Sequence, residues 1–137
     1  MSWQTNVLVV ANRTAASDDL IDTLKRRART GPTAFTLLVP AAPSGRADAR
    51  SRLEEALARM RAEGLTVEGK LGVDSNPMFA LCEEWDPARF DEIVISTFPS
   101  GVSHWLNLDL PQRVARFTDA PVEHVVSREP APAASPG

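Results

Sequence analysis

Five short apolar runs, each separated from the next by a segment of helical period, constrain this chain more than any other feature. They are NVLVVA (6–11), AFTLLV (34–39), LTVEGKL (65–71), DEIVIS (91–96) and PVEHVVS (121–127). The first, second and fourth are nearly continuous and β-branched, as strands buried on both faces must be. The third and fifth alternate, which suits strands nearer a sheet edge with one wetter face. Strands that alternate with helices form a parallel sheet, and right-handed crossovers put helices on both of its faces. The pattern predicts one doubly wound α/β domain over residues 1–127.

The helical segments carry their own signals. Leu20, Ile21, Leu24 and Ala28 share a face of a helix that Ser17 can cap, with Asp18 and Asp19 in its first turn. Thr30-Gly31-Pro32 ends it. The longest helix carries Leu53, Leu57 and Met60 on one face and stops at Gly64. A third, short helix starts at Asn76-Pro77 and is expected to pack Phe79, Leu81 or Cys82, and Trp85. A fourth opens at Asp109 and is expected to turn Val114 and Phe117 inward. Residues 128–137 (REPAPAASPG) have no period and are expected to be disordered.

At 137 residues, with 43% hydrophobic and 24% charged, the chain can bury a core of its own. A formal charge of −3 argues against nucleic acid and anionic membranes as main partners. The basic cluster Lys25, Arg26, Arg27 and Arg29 complements a helix dipole and reads as a solvated face rather than a partner patch. The single cysteine, Cys82, excludes an intrachain disulfide and reads as a packing residue. The N-terminus has no signal-sequence pattern and no segment reaches the ~20 apolar residues of a membrane span, so a cytoplasmic setting is expected.

Ligands on doubly wound sheets sit outside the carboxyl ends of the strands, where the strand order reverses. That directs attention to Asn12, Arg13 and Thr14, to Pro40, and to the loop from Ser96 onward. This loop adds Thr97, Ser100, Gly101, His104, Trp105 and Asp109 to the candidates.

VLVVANRTAAS resembles the opening of the universal stress protein family, in which the first strand ends in an Asp-Gly-Ser-type turn. Asn12 stands at the family's aspartate, Arg13 where glycine is common and Thr14 where serine is common. DEIVISTF…RVARFTDAPVEHVV is similar to the family's end: strand four, a glycine loop, helix four, a Pro-Val step and strand five. The resemblance implies the strand order 3-2-1-4-5 and a homodimer through the last strand, with Val122, His124 and Val126 as candidate interface residues.

ATP-binding members of that family carry Gly-x2-Gly-x9-Gly-Ser/Thr after strand four. Here Ser96 replaces the first glycine and Pro99 falls at the second; anchoring on Arg113 and Val114 takes a one-residue deletion and places Leu108 and Asp109 at the final pair. Glycines let bare backbone N–H groups approach phosphates closely, and each is missing at its place. Asp109 with Gln112 three residues on also reads as a capping box, whose carboxylate would take the donors a phosphate needs. Pro111 removes a further N–H.

Asn12, Arg13 and Trp105 remain as possible contacts for an adenine-containing or other small anionic ligand. The competing reading is that Asn12 and Thr14 close a turn, Asn12 tolerating an unusual backbone angle. His104 and Trp105 either pack under a reorganised loop or line an altered pocket. A receiver domain is disfavoured because Asn12-Arg13 replaces its acidic pair, Ser127 its lysine, and only Asp74 partly matches. Catalysis lacks a nucleophile elbow around Ser100 and a carboxylate placed beside His104. No ligand spacing for a metal and no cofactor motif is found. Two expectations follow: a dimeric, non-catalytic interaction module that does not hold ATP in the family manner, or a sensor of a small ligand in a remodelled pocket.

Overall fold

Runs of Val, Ile and Leu without polar interruption are satisfied only where both faces of a strand are covered. The computed structural model describes residues 4–99 and 109–127. Its elements are β1 (Thr5–Val10), α1 (Asp18–Arg29), β2 (Thr33–Val39), α2 (Arg46–Ala62), β3 (Thr66–Leu71), α3 (Pro77–Glu84), β4 (Glu92–Thr97), α4 (Leu110–Phe117) and β5 (Val122–Val126). The strands pair in parallel in the order β3-β2-β1-β4-β5. The three continuous runs are the inner strands, and Val9 of central β1 lies opposite Leu37 and Val94. The two alternating runs are the edges.

Period-two alternation splits the core into two layers. Val7 and Val9 face α1 and α2, meeting Leu20, Leu24, Leu53 and Met60. Leu8 and Val10 face α3 and α4, meeting Leu81, Leu110 and Val114. Each such side chain contributes about 1.5–3 kcal/mol by leaving water. Ser17 Oγ accepts from the Leu20 N–H at 3.1 Å, and the Asn76 carboxamide accepts from Met78 and Phe79. Gly64 ends α2 with a φ of 87°, a backbone that a side chain would strain.

On α3 Leu81 is buried and Trp85 packs partly against the same layer, as expected, but Pro77 and Ala80 rather than Phe79 complete the buried face. Phe79 is therefore 61% exposed, and Cys82 is exposed rather than packed. The cause lies in Gly72, where a Cβ would stand 2.7 Å from the Ala80 Cβ and 3.1 Å from the Pro40 Cα. The small pair Gly72 and Ala80 lets α3 rest close against the end of β2, and this sets its rotation. Desolvation, then the charge of Glu83, hold the Cys82 thiol above its ordinary pKa, so it is not a ready nucleophile. Phe117 also departs from expectation: Leu110 and Val114 anchor α4, and Phe117 at its end is 43% exposed.

The basic end of α1 is not simply solvated. Arg27 bonds Glu92 of β4 and Glu123 of β5, the latter at 2.7 Å, and ties the helix to two strands. Burial opposes its charge, but the two carboxylates outweigh burial and hold the guanidinium above its ordinary pKa. Lys25 pairs with Glu63 at 2.7 Å, and Arg26 bonds Thr23 at 3.1 Å.

Candidate functional site

The strand order reverses between β2 and β4, the neighbours of β1, and the crevice of such a fold opens beyond their carboxyl ends. Its floor is built of hydroxyl groups. Thr14 Oγ1 lies 2.6 Å from Ser96 Oγ, and Ser96 Oγ lies 3.1 Å from Ser127 Oγ. Ser127 Oγ in turn lies 2.8 Å from Ser17 Oγ, the α1 cap. Thr14, Ser96 and Ser127 are 3%, 1% and 0% exposed. A buried hydroxyl left without a partner costs about 1–3 kcal/mol, and these four satisfy one another across β1, β4, β5 and α1. The sequence order makes this possible: Ser96 shares the α1 face of β4 with Val94, and the Ser127 N–H donates to the Thr97 carbonyl at 2.7 Å.

The turn after β1 is closed by the Ala15 N–H to the Asn12 carbonyl at 3.1 Å. Asn12 Oδ1 accepts from Arg52 of α2 at 2.7 Å, so its side chain is tied to a neighbouring helix. Its backbone is not left-handed, contrary to expectation; among the described residues Asp109 is the one non-glycine with positive φ. Arg13 is exposed and Pro40 is buried. Beside Pro40 the Ala41 N–H donates to the Asp74 carbonyl at 3.0 Å, and Arg46 donates to the Gly72 carbonyl at 3.0 Å. The Asp74 carboxylate accepts from the Asn76 N–H at 2.8 Å.

Asp109 precedes α4 as expected but does not cap it. Its backbone is left-handed (φ 58°, ψ 36°), and its carboxylate bonds no N–H of the helix. Capping requires extended backbone at that position, which points the side chain back at the helix N–H groups. The Asp109 carboxylate stands instead 3.9 Å from Arg116. The expected capture of phosphate donors by this residue is thus overturned. Ser100, Gly101, His104 and Trp105 lie outside the described residues.

Thr97 is 3% exposed and meets His124 of β5, Oγ1 to Nε2 at 2.7 Å. Thr97 Oγ1 donates to the Phe98 carbonyl at 2.9 Å, so the imidazole is the donor to the hydroxyl. Desolvation holds His124 below its ordinary pKa of 6.5. A depressed histidine stabilises the fold fully above 6.5 and less as pH falls through its folded pKa. We expect His124→Gln to lose less stability than the parent between pH 7 and pH 5. Urea denaturation at both pH values checks this; equal losses would contradict it. Val122 packs partly against the α3–α4 layer, and Val126 is 47% exposed. A groove of about 440 Å³ runs beside β5, walled by Asp22, Thr23 and Arg26 of α1 and by His124 and Val126.

The structure therefore joins Thr14 to Ser96 and Thr97 to His124, and holds Asn12 through a residue sequence reading missed. Arg52 carries no signal beyond its place on an exposed helix flank. Ser127 was visible only as the residue standing where a receiver has its lysine.

No protein-family model and no curated protein matches the chain. Solved structures do. A universal stress protein in complex with cAMP aligns over 93% of this chain and 99% of its own, at 24% identity and a TM-score of 0.68. The universal stress protein from Archaeoglobus fulgidus in complex with dAMP aligns over 91% and 99%, at 16% identity and a TM-score of 0.64. A member of the same family from Burkholderia pseudomallei aligns over 90% and 96%, at 18% identity and a TM-score of 0.65. With β3-β2-β1-β4-β5 order and helices on both faces, the chain has the universal stress protein fold.

Proposed function

We propose that the chain is a non-catalytic regulatory or interaction module of the universal stress protein kind, dimeric through β5, that does not hold ATP on the segment after β4. One observation carries the reading. Ser96 stands at the family's first glycine, and its side chain is committed to Thr14 and Ser127. A glycine there would leave the backbone bare for a phosphate, and the Ser96 side chain does not. Among the described residues β5 has a strand neighbour on one side only, and such an edge invites pairing with a second copy.

A second reading is supported by the similar structures solved with cAMP and dAMP, ligands with a single phosphate. Here the crevice takes a small adenine-containing anion through Asn12 and Arg13, and Asp109 does not stand in its way. Calorimetric titration with ATP and Mg²⁺, and separately with cAMP and dAMP, tests both. The expected result is no ATP binding at millimolar concentration. Micromolar ATP binding would overturn the first reading. Binding of a monophosphate that Arg13→Ala abolishes would establish the second.

A further inference from the structure

We infer that the mouth of the crevice seats a tetrahedral phosphate dianion, free or as a nucleoside monophosphate, between Arg13 and Arg52. The seat lies on the β2 side of β1, away from the segment after β4. It rests on the ligand-binding reading above and assigns that ligand its anionic anchor.

Arg52 reaches from α2 to Asn12, and this uses one N–H of a group that has five. Arg13 is the next residue along the turn and is exposed. Among the described residues neither forms an ion pair. Arg27, Arg59, Arg89 and Arg116 each face a carboxylate. Asp48, one turn before Arg52, is exposed and forms no ion pair with it.

The residue at position 12 matters for the same reason. An aspartate there would form an ion pair with Arg52 and cancel its charge. Asparagine holds the guanidinium at 2.7 Å while leaving the charge available. Asn12 is therefore a positioning residue, and the planar guanidinium forks suit the oxygens of a phosphate. Where glycine backbone no longer receives an anion, charged side chains on the other flank of β1 do.

The test is ¹H–¹⁵N NMR on the full chain, titrated with inorganic phosphate, AMP and, as an uncharged control, adenosine. Phosphate or AMP should shift the Nε–H signals of Arg13 and Arg52. Arg52→Gln, Arg13→Gln and Asn12→Asp should each weaken this binding by about tenfold or more. Arg50→Gln, exposed on the same helix, should leave it unchanged. Response to phosphate alone identifies the free anion as the source, and tighter AMP binding identifies the monophosphate. AMP binding that none of the three substitutions alters, or adenosine binding as tightly as AMP, overturns the seat while the crevice remains a ligand site. No response to any of the three overturns both. Denaturation of each variant separates lost binding from lost folding.

Discussion

Leu110→Ala is expected to remove about 2–5 kcal/mol of stability, among the largest effects of any single truncation in this chain. Leu110 is fully buried at the first position of α4, in the layer that also holds Leu8, Ile93, Ile95 and Val114. Shortening it leaves a cavity that an eight-residue helix cannot close, because its other inward anchor is Val114. The consequence reaches the crevice, since Leu110 holds the chain immediately after the left-handed Asp109. Urea denaturation should show a lower midpoint at unchanged slope. A loss below about 1 kcal/mol would mean that α4 is not docked as described.

Ser96→Ala is the second large effect, expected at about 1–3 kcal/mol although it removes a single oxygen. Thr14 Oγ1 would lose its partner in a place 3% exposed, while Ser127 would keep Ser17. The loss therefore falls mainly on the Thr14 side. Thr14→Val in the Ser96→Ala background should then cost less than Thr14→Val alone. A double-mutant cycle showing a coupling of about 0.5 kcal/mol or more would support the hydroxyl chain as one unit. Strict additivity would show that these hydroxyls act separately.

Much of the fold was legible because burial writes itself as period. Continuous Val and Ile runs belong to strands covered on both faces, and Ser17 and Asn76 announce helix starts by the oxygen they offer. The strand order came only through resemblance, since local pattern does not say which strand neighbours which. The face of a short helix was less legible. Eight residues make about two turns, and a shift of one position rotates the buried face by about 100°. On α3 Leu81 stays inward as read, but Phe79 and Cys82 are exposed and Ala80 is buried.

Asp109 shows a further limit. A capping pattern names a residue able to cap, but the backbone entering the helix decides whether it does. At φ 58° it does not.

The sequence by itself determined an α/β sheet, its inner and edge strands, the helix starts, and the absence of the glycines that bare backbone needs. These follow from propensity and period, which act over a few neighbouring residues. Only the tertiary structure decided that Ser17 meets Ser127, 110 positions away, that Arg52 holds Asn12, and that Thr97 meets His124. Hydrogen bonds between side chains of different elements depend on how strands and helices are packed together. No local pattern carries that information.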